Sequence, residues 1–406
     1  MQIAVIGAGA AGLMAAGRAA ELGGDVTLFE KNKFSGKKLR ITGKGRCNVC
    51  NDCDVQTVIE NVPTNPRFLY AALNSFTPSD TKDFFEGLGV PLKTERGNRV
   101  FPVSDKASDV VDALRAYTKR SGVKYVEEEV KGITVSENGF AVTARVVREF
   151  DRVIIATGGA SYPLTGSTGD GYRFAKAFGI EVTDLSPSLV PLEIIEKDCA
   201  EMQGLSLKNT ALEVIDSSNG KSVYRDFGEM MFTHYGVTGP MILSASSHLG
   251  KFERGGYQLK LDLKPALDEK TLDARLLSDF SKALNKDFAN SLSALLPQKM
   301  IPVIVRRSGI DAAKKVNAIT KEERKALLEL LKGYTLTVKS FRPLSEAIIT
   351  SGGVSVKEIS PKTMEAKNVP GLFFCGEVID VDAYTGGFNL QIAFSTARLA
   401  AENAIY

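Results

Sequence analysis

The sequence predicts an α/β fold into which a β-rich segment and a helical segment are inserted. Three observations predict it. Residues 3–12 read Ile-Ala-Val-Ile-Gly-Ala-Gly-Ala-Ala-Gly, an apolar strand turning through glycines into a small-residue helix, and the acid Glu30 closes the next strand, Val26-Thr27-Leu28-Phe29. Residues 188–265 alternate apolar and polar side chains, as half-buried antiparallel strands do. Residues 342–406 return to the opening pattern of strand, glycine and helix.

In chain order, strand signals fall at 2–6, 25–29, 124–130, 140–147 and 152–156, and helical periodicity at 12–22, 66–76, 78–88 and 107–121. The last helix is announced by Ser104-Asp105 and Ser108-Asp109, which are good capping residues. Asn138-Gly139 predicts a hairpin turn. The apolar strand Val153-Ile154-Ile155 runs into Ala156-Thr157-Gly158-Gly159, and Thr168-Gly169-Asp170-Gly171 opens a helix from Tyr172 to Phe178. After the alternating region, helices are expected at 271–284, 288–296, 298–307 and 321–332, followed by a strand at 334–341. Near the end, Gly371-Leu372-Phe373-Phe374-Cys375-Gly376-Glu377 is a strand leading to a glycine and an acid, and Tyr384 to Gln391 opens a helix running to Ala404. The expected domains are 1–187 plus 342–406 for nucleotide binding, 188–265 plus 333–341 as the β-rich insertion, and 266–332 as a helical subdomain.

Bulk properties fit a large enzyme. The chain has 406 residues, is 44% hydrophobic and carries a formal charge of +3. No basic run stands out, so a nucleic-acid partner is not favoured. No apolar run is long enough to span a bilayer, and with a strand at the very start no signal peptide is expected. The odd cysteine count, five, suggests a reducing compartment, and a cytoplasmic location is expected. Cys47, Cys50 and Cys53 have the spacing of an iron–sulfur, zinc or dithiol motif. No fourth cysteine follows nearby and His234 and His248 are distant, so loop thiols without a metal are expected.

The N-terminal motif carries the chemistry. Gly7 permits a tight turn, Gly9 lets backbone N–H groups approach a pyrophosphate, and Gly12 lets helix and strand pack closely. The helix start offers unpaired N–H groups and partial positive charge to the phosphates. Glu30 stands where a carboxylate would accept ribose hydroxyls. Glu127 to Val130 would run beside the adenine as a third strand.

Together, Gly7-x-Gly9-x-x-Gly12 with Glu30, Ala156-Thr157-Gly158-Gly159 and Cys375-Gly376-Glu377 resemble the two-dinucleotide-binding-domain flavoproteins. Lys37-Lys38-Leu39-Arg40-Ile41-Thr42-Gly43-Lys44-Gly45-Arg46-Cys47-Asn48 resembles the signature of a bacterial NAD(P)/FAD-dependent oxidoreductase family, one associated with aminoacetone oxidase and with a bile-acid Δ4,6-reductase. Residues 232–240 and 350–354 are similar to that family as well. The resemblance implies a Rossmann-like FAD-binding domain with an inserted β-barrel-like domain and a small helical subdomain. It implies FAD contacts from Gly7, Gly9, Ala10, Ala11 and Gly12 at the pyrophosphate and Glu30 at the ribose, with Lys31 and Lys38 nearby. Thr42, Gly45, Arg46, Cys47 and Asn48 would line the flavin side, and Val130 the adenine. Ala156, Thr157, Gly158 and Asp170 would approach the cofactor, Gly376 and Glu377 its pyrophosphate or ribityl chain, and Gly387, Phe388, Asn389, Leu390 and Gln391 the isoalloxazine. A positive helix end there would stabilise negative charge on the reduced ring. No histidine lies in the early loop, so the flavin is expected to be non-covalent. No second complete glycine fingerprint exists, so NAD(P)H would dock only transiently.

The expected activity is hydride transfer through FAD between NAD(P)H and a small organic substrate, in one version reducing a conjugated C=C bond. The alternatives are a flavin amine oxidase using O2, an FAD-dependent RNA-modification protein and a flavin-dependent hydroxylase. His234 and Tyr235 are the candidate catalytic proton donors. Arg46 either holds an anionic group or braces its loop.

Overall fold

The computed structural model describes residues 1–250 and 252–406 and divides into two compact units, Met1–Ser188 with Pro343–Tyr406, and Leu189–Arg342.

The first unit is built on a five-stranded parallel sheet in the order Leu372–Phe374, Arg152–Ile155, Gln2–Ile6, Asp25–Phe29, Lys124–Val126. Its strands are apolar runs because both faces are covered. Ile3, Ala4 and Val5 are completely buried. The first helix, Ala10–Glu21, is almost wholly Ala, Gly and Leu, and eight of its residues are buried. Its small side chains let neighbours close in: a Cβ on Gly17 would lie 2.2 Å from the Tyr117 ring. Tyr117 belongs to the helix Ala107–Arg120, which buries Val110, Val111, Leu114, Tyr117 and Thr118 at helical spacing and donates its phenol to Glu21 Oε2 at 2.9 Å. The C-terminal helix, Phe388–Ala404, buries twelve residues and packs on the first helix.

Several expectations shift at element ends. The third strand stops at Val126, where the Glu128 N–H turns back onto the Val126 carbonyl at 3.0 Å, so Glu127 to Val130 lies outside the sheet. The strand expected at 140–147 is two, Gly139–Thr143 and Val147–Phe150, separated by a turn and joined with Gly132–Ser136 in an antiparallel sheet. The helix expected at 66–76 begins as a 3-10 turn, Pro66–Leu69. The segment 371–377 is strand only over Leu372–Phe374, because Gly376 to Val378 turn.

The second unit is a closed antiparallel barrel of six strands in the order Leu192–Ile194, Gly236–Thr238, Ser222–Phe232, Ser206–Asp216, Tyr257–Asp262, Tyr334–Phe341. Leu192–Ile194 pairs back to Tyr334–Phe341 and completes it. The alternating residues Leu212, Val214, Leu259, Leu261, Leu336 and Val338 are buried together, which is why the period of two was legible. Helices Glu269–Ser281, Ile301–Ser308 and Lys321–Lys332 share that core through Leu272, Leu276, Val303, Ile304, Leu327 and Leu331. The helix expected at 288–296 is only a 3-10 turn, Phe288–Asn290. Its backbone is used elsewhere: Phe288 N–H donates to the Lys314 carbonyl and Ala289 N–H to the Ala312 carbonyl.

No helix of the described residues is long and apolar enough to cross a membrane.

Candidate functional site: a nucleotide cradle in the first unit

The first strand ends in a turn that only glycine fits. Gly7 has φ +102°, and a Cβ there would lie 2.7 Å from the Ala156 carbonyl oxygen. A Cβ on Gly12 would lie 1.7 Å from the Gly7 carbonyl oxygen, so the helix can begin this close to the strand only without a side chain. Gly9 is different. It precedes the first helix in an extended conformation, no side chain caps it, and a Cβ would meet nothing within 4 Å. The first helical N–H bond is Leu13 to the Gly9 carbonyl, so the N–H groups ahead of it have no partner within the helix. With no acid in the first turn, the site suits a diphosphate. The residues therefore fit the phosphate part of a dinucleotide.

Glu30 is oriented beside this turn. Its Oε2 accepts the Ala8 N–H at 2.8 Å, and its Oε1 accepts the Asn32 backbone and side-chain N–H groups, each at 2.8 Å. Lys37 holds the Asn32 oxygen at 2.9 Å. Lys31 and Asp170, both expected near the cofactor, are joined to each other at 2.5 Å, with Thr168 on the same lysine. Lys38 is joined to Glu377 at 2.7 Å. Ala156 and Thr157 lie directly behind Gly7, and Gly158, the next residue, has φ +72°.

The C-terminal segment closes on the same turn. Gly376 donates its N–H to Thr396 Oγ1 at 3.0 Å, and a Cβ on it would lie 2.7 Å from Ala11 Cβ. Gly387, the residue before the C-terminal helix, has φ +101° and lies against the Cys50 backbone. Phe388 is buried and Leu390 half-buried. Asn389 is committed to its own loop, bonding the Ala383 N–H at 3.0 Å and the Ala383 carbonyl at 2.7 Å. Gln391 is completely buried and donates to the Phe76 carbonyl and to Ser395, both at 3.0 Å. Gln391 Oε1 is a buried oxygen without a partner among the described residues.

In the early loop Thr42 donates to the Leu39 carbonyl, and Gly45 has φ +84°. Asn48 Oδ1 is a buried oxygen without a partner among the described residues. Arg46 pairs with Glu95 and with Asp105 and lies 4.2 Å over the Phe101 ring, so it braces the strand pair that follows. A hydrogen bond from Arg46 holds Glu95 below the usual carboxylate range, and hydrogen bonds from Lys93 first and Arg46 second do the same for Asp105. The thiols of Cys47, Cys50 and Cys53 are free, and burial pushes them up to about 12, about 12 and about 11. Among the described residues no cluster of His, Cys, Asp and Glu could hold a metal ion. Val130 is buried beyond the end of the third strand.

His234 and Tyr235 belong to the second unit. They form the tip of a tight turn in which Thr233 N–H donates to the Gly236 carbonyl at 2.8 Å and Gly236 N–H to Thr233 Oγ1 at 3.1 Å. His234 is exposed and meets the Tyr235 ring edge-on at 4.9 Å. Arg342 lies 4.5 Å over the other ring and donates to Glu193 at 2.7 Å. Sequence reasoning did not single out Arg342 or Asn32, because neither lies in a recognisable motif.

A family profile described as "HI0933-like protein Rossmann domain" matches residues 1–403. The chain is similar to the 3-dehydro-bile acid delta(4,6)-reductase of Clostridium scindens, 30% identical with 99% of this chain and 98% of that protein covered. It is also similar to the ribosomal RNA dihydrouridine synthase of Haemophilus influenzae, 33% identical with 98% and 96% covered. Among solved structures, the 3-ketosteroid delta1-dehydrogenase from Sterolibacterium denitrificans shares the fold, with a TM-score of 0.50 at 13% identity and 99% of both chains covered.

Proposed function

The chain belongs to the HI0933-like Rossmann family of FAD-dependent oxidoreductases, and from that premise we propose that it reduces a carbon–carbon double bond conjugated to a carbonyl in a small organic substrate, with NAD(P)H as electron donor. The observation that carries the substrate class is that relatives covering nearly the full chain bear two names with one chemistry. A delta(4,6)-reductase and a dihydrouridine synthase each saturate a C=C bond in conjugation with a carbonyl.

In this reading the uncapped helix start behind Gly9 holds the diphosphate of FAD, and Glu30 takes the ribose hydroxyls. Glu377 faces the polyol chain, and backbone N–H groups after Gly387 meet the ring. When bound, FAD supplies the two-electron chemistry. His234 and Tyr235 are proposed to deliver the proton that completes the addition, with Tyr235 held in place by Arg342.

Anaerobic mixing of the purified protein with NADH or NADPH tests the donor. Reoxidation by a 3-oxo-4,6-diene steroid, by ribosomal RNA and by oxygen tests the acceptor. A saturated product at the rate of flavin reoxidation is expected with the dienone. Stoichiometric hydrogen peroxide with no organic product would replace this reading with an oxidase. The second reading, uridine in RNA as the acceptor, is favoured by the relatives named for that activity and predicts turnover with the RNA alone.

A further inference from the structure

We infer that Lys38 is a positioning and charge-balancing residue for Glu377, an inference that rests on the FAD reading above. Four distant chain segments meet at the Glu377 carboxylate. Lys38 Nζ lies 2.9 Å from Oε1 and 2.7 Å from Oε2. Oε1 also accepts the Ser161 hydroxyl at 3.1 Å and the Thr350 backbone N–H at 3.0 Å. Lys38 Nζ donates to Ser161 Oγ at 2.7 Å. The Thr350 hydroxyl oxygen in turn accepts the N–H groups of Ala160 at 2.9 Å and Ser161 at 3.1 Å.

An ammonium has three protons. The carboxylate and the Ser161 hydroxyl engage at least two of them, which commits the ammonium to Glu377. Among the described residues Oε2 accepts only from the lysine, so it retains acceptor capacity for a hydroxyl of a bound polyol chain. The place explains the charge. Gly376, one residue earlier, packs against Ala11 in the first turn of the helix that would hold the diphosphate. A carboxylate there without a counter-charge would oppose an anionic ligand. Lys38 removes that opposition while fixing the carboxylate. Gly159 makes room for the arrangement, since a Cβ there would lie 2.6 Å from Thr350 Oγ1 and 2.9 Å from Glu377 Oε1.

The test is FAD affinity, measured by flavin fluorescence on the full-length apoprotein, for wild type, K38M, K38R, E377Q and K38M/E377Q. Thermal unfolding of each apoprotein is followed in parallel. K38M is expected to bind FAD at least ~10-fold more weakly, and K38R within ~3-fold of wild type, because a fork of donors can still hold both oxygens. The double variant K38M/E377Q is expected to bind more tightly than K38M, since no uncompensated carboxylate remains. If K38M does not fold, K38Q carries the same comparison. Binding by K38M within ~2-fold of wild type, or losses that simply multiply in the double variant, overturns the inference. Wild type that binds no FAD overturns the FAD reading itself, and the two failures are told apart by that one titration.

Discussion

At Gly12 the first helix begins so close to the strand that a methyl group would sit 1.7 Å from the Gly7 carbonyl oxygen. Gly12→Ala must therefore push the helix start outward, at a cost of roughly 1–3 kcal/mol for overpacking. The N–H groups ahead of Leu13 move with it, so FAD affinity is expected to fall by more than ~10-fold, read by fluorescence titration. Gly9→Ala meets no protein atom, so its apoprotein is expected to unfold at nearly the wild-type temperature, and any loss is expected in ligand affinity. The cysteines make a second prediction at this scale. Burial raises the thiols of Cys47 and Cys50 to about 12 and Cys53 to about 11, and it also raises Cys199 and Cys375. A raised pKa keeps the neutral thiol dominant, and only the thiolate attacks. Disulfide reagents at pH 8 are expected to react slowly with the native protein and with all five thiols after denaturation; a fast stoichiometric thiol in the native protein would contradict the burial argument. Much of the glycine logic was legible because motif spacing maps onto one local turn. The Lys38–Glu377 pair was not, because the two residues lie 339 positions apart and no periodicity links them.

Helix Lys321–Lys332 shows what local sequence can specify. Thr320 accepts the Glu323 N–H at 3.2 Å and Glu323 returns to the Thr320 N–H at 2.8 Å, a reciprocal cap that Lys314 steadies at 2.7 Å. Thr320→Ala is expected to cost about 1 kcal/mol, seen as faster hydrogen exchange in that helix with FAD binding unchanged. The 3-10 turn Phe288–Asn290 shows what local sequence does not specify. Its apolar residues have helical spacing, but its donors go to carbonyls at 312 and 314, contacts that only the folded unit supplies. The same holds after Val126, where the Glu128 N–H turns back onto the Val126 carbonyl and the chain leaves the sheet. The barrel was legible as alternating segments because one face of each strand is buried, whereas its closure between Leu192–Ile194 and Tyr334–Phe341 joins segments that local pattern cannot pair.

For the molecule as a whole, acid and salt test different things. In the second unit, burial pushes the Asp198 carboxyl up, but hydrogen bonds from Arg306, Arg307 and Tyr334 and the charge of Arg307 outweigh it and hold the group below its ordinary value. A carboxyl depressed on folding contributes stability above its unfolded value of about 3.9, and that contribution is lost as pH falls through the folded value. Asp198→Asn is expected to lower stability at neutral pH by roughly 1–2 kcal/mol, because Arg307 and the Tyr334 hydroxyl lose their charged acceptor while Arg306 keeps Glu201, and to flatten the loss on acidification below about pH 4. Salt separates the two acceptor readings. Residues 189–342 hold 23 Lys and Arg against 19 Asp and Glu, while the whole chain carries only +3, so the insertion is mildly basic. An RNA acceptor must bring phosphates to such cations, and its affinity falls with a log–log slope of about −0.7 for each phosphate neutralised on a single strand. A conjugated steroid brings mainly apolar surface, whose burial added salt does not weaken. The specificity constant for the dienone is therefore expected to change little between about 50 and 200 mM salt, measured as anaerobic NAD(P)H consumption. Turnover of RNA is expected to be absent or to collapse across that range. A steep salt-dependent fall with RNA at high turnover, beside no turnover of the dienone, would move the substrate from small molecule to nucleic acid while leaving the nucleotide cradle as described.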